Sequence, residues 1–378
     1  MKNNYLATNK EISNKKILVA LSGGVDSSVA AGVLVNQGFA VIGIHFLMWK
    51  EDYSGVERNT EDLKKVVKTL GINLEIVDIK EEFKKWVVSE FIRSYQKGLT
   101  PNPCVICNKK VKFNLLLKIA EKLNCDYIST GHYAQVKKIK YRRRDEYALI
   151  KGFDEKKDQS YFLYRLNQEI LSRTIFPNGE HTKEKTRELA RKFYLPTFNK
   201  AESQEICFIA DNLKEFLKRN LPDYIIPGEV VDTSGQVIGE HYGLPFYTEG
   251  QRHGYKIFND QFSIFNKNKE NIQPFYVITK DIRKNQLVVG PINEAKRGGF
   301  EVENVNWVRE VPDPRYKLKV KVKIRNTGNL LTGRIIYLKK TNSVKVLLEN
   351  PQIGVSPGQS AVFYRDSEVL GGGVIRWQ

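Results

Sequence analysis

Short apolar runs alternate with amphipathic stretches through the first half of the chain. Ile17–Leu21 (ILVAL) has no polar position and reads as a strand buried on both faces. Ser27–Asn36 (SSVAAGVLVN) reads as a helix that Gly38 closes. Val41–Phe46 predicts a second strand, Glu61–Leu70 a helix ended by Gly71, and Leu74–Ile79 (LEIVDI) a third strand. Glu81–Tyr95 and Lys109–Leu123 predict two more helices, and Asp126–Thr130 (DYIST) a fourth strand. Alternation of this kind argues for a parallel sheet covered on both faces. The pattern changes near Asn212, where proline and glycine punctuate LPDYIIPGEV, DTSGQVIG and YGLPFYTEG, followed by short alternating segments at Pro274–Thr279 and Gln286–Val289. From about Pro291 only strand patterns remain: FEVENVNWV, YKLKVKVKIR, LTGRIIYL, SVKVLLEN, SAVFYRD and GGGVIRW. Strands at this spacing predict a small barrel. The expected fold class is α/β: a parallel-sheet domain over 1–212, a small mixed, β-rich central domain over 213–289 and a C-terminal β-barrel over 290–378.

Composition changes this picture in three ways. A length of 378 residues suits two or three domains, and 41% apolar with 28% charged residues is enough for ordinary cores, which excludes dominant disorder. Lysine and arginine total 61 against 43 acidic residues, a net charge of +18, which favours an anionic partner, nucleic acid first and acidic membrane second. Strand alternation puts Lys317, Lys319, Lys321, Lys323 and Arg325 on one face, either solvated or a polyanion contact. Four cysteines exclude a disulfide scaffold. The absence of an apolar run of about 18 residues argues against a membrane helix. The opening MKNNYLATNKEISNKK lacks the apolar stretch of a signal peptide, so a cytosolic protein with reduced thiols is expected.

The sharpest motif is SGGVDSS, Ser22–Ser28, between the first strand and the first helix. Two glycines allow a tight turn and close backbone approach to a ligand. The helix N-terminus aims free N–H groups at the loop, and serine hydroxyls add donors, which together make an anion cradle. It is neither a Walker A loop, lacking GK[ST], nor a dinucleotide fingerprint, lacking GxGxxG. A plain strand–helix turn would need only one glycine and one cap. The loop resembles that of the ATP pyrophosphatase superfamily, which implies ATP cleaved between the α and β phosphates, with Asp26 assisting Mg2+ or phosphate positioning.

Cys104 and Cys107 form a CxxC in TPNPCVICNKKVKFN, a proline-stiffened loop expected to lead into the helix near Lys109. A helix N-terminus with Lys109 and Lys110 alongside predicts a lowered Cys107 pKa. Cys207 follows in AESQEICFIAD, and Cys125 reads as a small core residue. Half of a zinc site would need two more ligands, yet there is no second CxxC or HxxxH, and His45, His132, His181, His241 and His253 are scattered. Thiolates beside an adenylating loop suggest sulfur insertion: ATP makes a carbonyl oxygen a leaving group, and a persulfide supplies the sulfur.

The ordered blocks SGGVDSSVA, TPNPCxxCNKxxKF, STGHYA, KDQSYFLY, ESQEICFI, GQRHG, SPGQSAVFY and VLGGGVI resemble the tRNA-specific 2-thiouridylase family over nearly the whole chain. The resemblance implies an adenine-nucleotide hydrolase-like catalytic domain followed by the central domain and an RNA-contacting barrel. It implies ATP contacts at Ala20, Leu21, Ser22, Gly23, Gly24, Val25, Asp26, Ser27, Phe46 and Gly131. Cys207 would carry the persulfide, and Cys107 would release the sulfur and can end in a disulfide with Cys207. Asn102, Pro103 and Cys104 would meet the target base, and His132, Lys157, Asp158, Gln159, Arg325, Asn326 and Gln359 would contact tRNA. Read locally, His132 also suits a turn, Asp158 an N-cap before SYFLYRL and Gln359 a plain turn. The chain departs from the common family form at Cys104 (usually aspartate), Phe46 (often methionine), Asn326 (usually tyrosine) and His253 (commonly lysine).

The implied reaction is thiolation of carbon 2 of the wobble uridine in tRNAs for lysine, glutamate and glutamine, with sulfur from a persulfide relay protein or cysteine desulfurase. A cluster-dependent alternative has Cys104, Cys107 and Cys207 holding an iron–sulfur centre that delivers sulfide. The remaining alternatives are another ATP pyrophosphatase synthetase, which needs no Cys207, and a non-catalytic RNA-binding protein.

Overall fold

The computed structural model describes residues 15–49, 54–141 (54–59 as backbone only), 144–200, 206–258, 274–310, 313 and 315–377. The opening MKNNYLATNKEISN and the AESQE half of the block before Cys207 lie outside the described residues.

The first sheet is parallel throughout. It contains β1 (Lys16–Ala20), β2 (Ala40–Leu47), β3 (Asn73–Asp78) and β4 (Tyr127–Ser129). After β4 the chain leaves the sheet as a hairpin, β5 (Ala134–Tyr141) and β6 (Arg144–Lys151), and returns as the short β7 (Thr174–Ile175). The order is β3-β2-β1-β4-β7, so successive strands step one way from β1 to β3 and the other way at β4. Open parallel sheets bind ligands at such a switch point, beyond the carboxyl ends of the strands. The loop at Ser22–Gly24 follows β1 and the turn at Thr130–His132 follows β4, so both lie there. Ile17, Leu18 and Val19 are fully buried, as the uninterrupted apolar run requires.

Two helical stretches depart from the sequence reading. Glu81–Tyr95 is part of a run that is α at Lys80–Phe83, π at Lys84–Val88 and α again at Ser89–Gln96. The helix expected from Lys109 starts six residues earlier, at Pro103, with a π turn over Cys107–Lys112 before α geometry resumes at Phe113–Lys122. Pro103 sits at the first helical position, where its missing N–H costs nothing.

The central sheet has the order β10-β9-β8-β12-β11, from β8 (Gly228–Val231), β9 (Val237–His241), β10 (Lys256–Ile257), β11 (Tyr276–Asp281) and β12 (Gln286–Gly290). Six C-terminal strands follow: β13 (Arg297–Trp307), β14 (Leu318–Lys323), β15 (Leu331–Leu338), β16 (Ser343–Gln352), β17 (Ser360–Arg365) and β18 (Glu368–Arg376). They run β13-β16-β15-β14-β17-β18, and β18 pairs back onto β13 to close the barrel. The barrel sheet is not made by the C-terminal segment alone. β6 adds to β18 through Val369↔Leu149 and Glu368↔Ile150, carrying β5 with it. Val362, Tyr364 and Val369 of the barrel belong to the same apolar core as Leu149, Tyr161 and Tyr164.

The C-terminal and central domains both meet the loop before Cys104. Thr100 donates its N–H to Pro357 O at 2.9 Å, and Gln359 Nε2 donates to Thr100 O at 3.0 Å and Pro101 O at 3.3 Å. The Thr100 hydroxyl meets that of Thr248 at 3.2 Å. The TPNPC loop is thus set by the barrel and the central domain as well as by its own prolines.

Candidate active site

One cavity of about 630 Å³ lies at the switch point, a volume suited to a nucleotide-sized ligand. Its wall includes Ala20 to Ser27, Phe46, Gly131, His132, Lys157, Asp158, Gln159, Cys207 and Asn326. Ten ATP positions and five RNA positions implied by the resemblance therefore border one space together with Cys207. Arg325 and Gln359 do not line it. Gln359 grips the TPNPC loop, and exposed Arg325 reaches Ile353 O at 3.2 Å.

The loop's conformation follows from its residues. Gly23 has φ of 78°, in the left-handed region where a side chain is strained. Ser27 Oγ accepts from Ser22 N–H at 3.1 Å, and Ser28 Oγ donates to Gly24 O at 2.9 Å, so hydroxyls pin the turn. Gly131 comes so close that a Cβ would lie 2.6 Å from Ser27 N, which only glycine allows. Asn178, fully buried, donates to both Asp26 O (2.9 Å) and Gly131 O (3.0 Å), tying the two loops together.

Asp26 is held from behind. Its Oδ1 accepts from Lys183 Nζ at 2.6 Å and from Tyr133 OH at 2.8 Å. Lys183 is 6% exposed and sits at the start of the helix Lys183–Lys192, capped by Thr182. The sequence reading had no place for Lys183 or Tyr133. Asp26 Oδ1 is thus committed to the protein, and a carboxylate beside an anion cradle is chemically suited to a hard divalent cation.

The thiols differ from the sequence expectation. Burial pushes the Cys107 thiol up to about 12, against a smaller lowering influence from Lys112. The expected depression fails because the helix starts at Pro103, which moves Cys107 off the N-terminus into a packed turn. Lys110 sits 4.2 Å above the Trp86 ring, and Lys109 faces Arg165, so neither lysine serves the thiol. Cys104 is open to solvent but recessed; burial first, then Cys207, raises it to about 11. Cys207 is exposed, and each of Cys104 and Cys107 feels its charge. The fold therefore brings Cys104, Cys107 and Cys207 together, while Cys125 is buried in the core as expected. Among the described residues, no three His, Cys, Asp or Glu side chains are arranged to hold a metal ion.

The RNA positions divide by environment. His132 Nδ1 meets Thr130 Oγ1 at 2.7 Å, and desolvation, with Lys112 nearby, holds its pKa well below the usual histidine range, so the ring is neutral. Asp158 is buried, its Oδ1 accepting from Gly152 N–H (3.0 Å) and Ser160 N–H (3.1 Å); it is not the N-cap expected locally, because the 3₁₀ turn Ser160–Phe162 takes Gln159 in that place. Gln159 Oε1 accepts from Tyr133 N–H at 3.0 Å. Asn326 Oδ1 is buried without a hydrogen-bond partner and its residue lines the cavity, which suits an incoming donor. Asn102 bonds the Tyr161 hydroxyl, and Pro103 is buried. On β14, Lys319 and Lys321 face solvent while Val320 and Val322 are buried, as the alternation requires, and Lys323 is half-buried beside Asp158.

Three family profiles match in succession: a tRNA methyl transferase HUP domain at 15–211, a tRNA methyl transferase PRC-barrel domain at 214–291 and an aminomethyltransferase beta-barrel domain at 297–375. The tRNA-specific 2-thiouridylase of Carboxydothermus hydrogenoformans is 40% identical over 96% of this chain and 98% of its own. The chain belongs to the tRNA-specific 2-thiouridylase family. The Synechocystis sp. member is 39% identical over 96% of this chain and 97% of its own. A solved 4-thiouridine synthetase–RNA complex with bound ATP aligns over 55% of this chain and 51% of its own, at 19% identity and a TM-score of 0.34, too partial an overlap to bear on function.

Proposed function

We propose that this enzyme adenylates the C2 carbonyl oxygen of the wobble uridine of tRNA with ATP and replaces that oxygen by sulfur carried on Cys207. The observation that carries the reading is the shared cavity, in which the phosphate cradle Ser22–Ser27 and the Cys207 thiol border one space. A synthetase for small amides would have no use for Cys207 there, and a passive RNA binder none for the cradle.

The chemistry divides between the two walls. The backbone and hydroxyls of Ser22–Ser27 cradle the β and γ phosphates, and Phe46 lies against the base. Asp26 orients the magnesium-bound phosphates. Attack of the uridine O2 on the α-phosphorus then expels pyrophosphate. The terminal sulfur of the Cys207 persulfide bonds to C2, the C2–O bond breaks, and AMP leaves with the electron pair. Cys107 next attacks Cys207 Sγ and loses its proton to water. The S–S bond breaks with its pair going to the sulfur on C2, leaving 2-thiouridine and a Cys107–Cys207 disulfide that an external thiol must reduce. Exposure of Cys207 suits loading by a persulfide-bearing relay protein or a cysteine desulfurase. Among the described residues no helix is long and apolar enough to cross a membrane. The proposed division is 1–212 for catalysis, 213–289 as a central support and 290–378 for RNA contact, on tRNAs for lysine, glutamate and glutamine.

The test is pyrophosphate release with and without tRNA, paired with mass spectrometry of the wobble nucleoside. Release that needs tRNA, with 2-thiouridine formed, is expected. Release without tRNA points to a small-molecule synthetase, and tRNA binding without release to a passive binder.

Two further outcomes are expected. With Cys107 held near 12, its reactive thiolate fraction rises about tenfold per pH unit, so single-turnover thiouridine release should climb steadily between pH 7 and 9. A flat profile would show that Cys107 attacks from an already ionised state. Lys317 and Lys319 are exposed on the outer barrel face. Replacing both by glutamine should lower the slope of log affinity for tRNA against log salt by up to about two units. An unchanged slope would place the RNA elsewhere.

A further inference from the structure

The cavity holds a cation that neither the phosphate cradle nor the sulfur pair accounts for. Lys112 lines the cavity with Asp26, His132 and Cys207 and is half-buried. Among the described residues no carboxylate pairs with its ammonium; the groups it acts on are Cys104, Cys107 and His132, two neutral thiols and a neutral imidazole. By contrast, Lys183 is matched by Asp26 at 2.6 Å and Lys200 by Asp62 at 2.8 Å. Among the described residues, then, this partly desolvated ammonium has no counter-ion, and its place on the cavity wall suits an incoming anion.

The backbone places that charge. Cys107 and Lys112 are five residues apart, which in an α-helix would put them about 140° apart around the axis. The segment Cys107–Lys112 is instead a π turn, and Phe113 N–H bonds Asn108 O five residues back. The wider turn brings residues i and i+5 towards one side, so Lys112 faces the same space as the thiols. Such turns are rare and concentrate at functional sites.

We propose that Lys112 is a catalytic residue that binds the α-phosphate of the adenylated uridine beside the thiols and stabilises AMP as it departs. The proposal rests on the thiolation reading above. As the persulfide anion of Cys207, its proton already given up to solvent, forms the C–S bond, the C2–O bond breaks and its electron pair leaves with AMP. The phosphate gains a unit of negative charge at that moment, next to the ammonium, which binds the departing group more strongly than the bound one. A fixed charge or donor aimed at developing charge contributes about 10²–10³ in rate.

The experiment uses the full chain with persulfide-loaded Cys207, tRNA and ATP in single turnover, comparing Lys112→Gln and Lys112→Arg with native enzyme. Pyrophosphate, adenylated tRNA and 2-thiouridine are measured separately, with tRNA affinity and melting temperature alongside. For Lys112→Gln the expected result is pyrophosphate release within about threefold of native, adenylated tRNA accumulating and 2-thiouridine formation at least about 100-fold slower, with partial recovery in Lys112→Arg. Thiouridine formation within threefold of native would overturn the proposal. So would a parallel fall in pyrophosphate and thiouridine, which would assign Lys112 to ATP binding, or a loss shared by both variants with a lowered melting temperature, which would make it structural. Native enzyme that releases no pyrophosphate with tRNA would fail the underlying reading instead.

Discussion

Cys207→Ser is expected to leave pyrophosphate release within a few-fold of native while thiouridine formation falls by at least about 10³-fold, the scale of losing a covalent nucleophile. On the proposed mechanism the two halves of the reaction use different walls of one cavity: Ser22–Ser27, Asp26 among them, serve the attack of the uridine O2 on the α-phosphorus, and Cys207 supplies the sulfur. Serine at 207 cannot carry a persulfide, so the activated RNA waits. Adenylated tRNA should therefore be recoverable from the mutant, and a phosphodiesterase that removes AMP should return unmodified uridine. Thiouridine formed at the native rate by this mutant would move the persulfide to Cys104 or Cys107. Both sit in the same recess, but as un-ionised thiols.

Asp26→Ala is expected to lower tRNA-dependent pyrophosphate release by at least about 100-fold and also to destabilise the catalytic domain. The second effect comes from Lys183, whose side chain is 8% exposed and whose ammonium lies 2.6 Å from Asp26 Oδ1. Removing the carboxylate takes away the 2.6 Å counter-ion of that desolvated charge and one acceptor of Tyr133 OH, which also donates to Thr186 Oγ1 at 3.0 Å. Breaking a buried pair by removing one member costs about 3–5 kcal/mol, and the partial exposure of Asp26 lowers this to about 2 kcal/mol. A melting temperature lower by a few degrees follows. The double variant Asp26→Ala/Lys183→Met removes both charges and should recover the stability without the activity. If instead the single variant releases pyrophosphate at near-native rate, Asp26 is a structural anchor for Lys183 and plays no part in phosphate positioning.

What could be read directly from the sequence was whatever depends on neighbours along the chain. An apolar strand, two glycines and a serine-rich helix start specify a phosphate loop locally, and β1, Ser22–Gly24 and Val25–Asn36 form it. Period-two patterning after Pro291 specifies a barrel for the same reason, since alternation sorts inner from outer side chains without reference to anything distant. The quoted motif blocks carried the family. Tertiary structure decided the rest. AQVKKIKY and RDEYALIK joined the barrel sheet as an added hairpin because the start of β18, more than two hundred residues downstream, offered pairing to β6. Asp26 acquired Lys183 from 157 residues away, a pairing that no spacing rule signals. The Cys107 thiol went up rather than down because its ionisation depends on how much protein surrounds it. The start of its helix at Pro103 and the packing around it set that burial; the charges of Lys109 and Lys110 beside it in sequence do not. Side-chain chemistry and local pattern are properties of the chain, but desolvation and charge pairing are properties of distance in space, and only the folded arrangement supplies those distances.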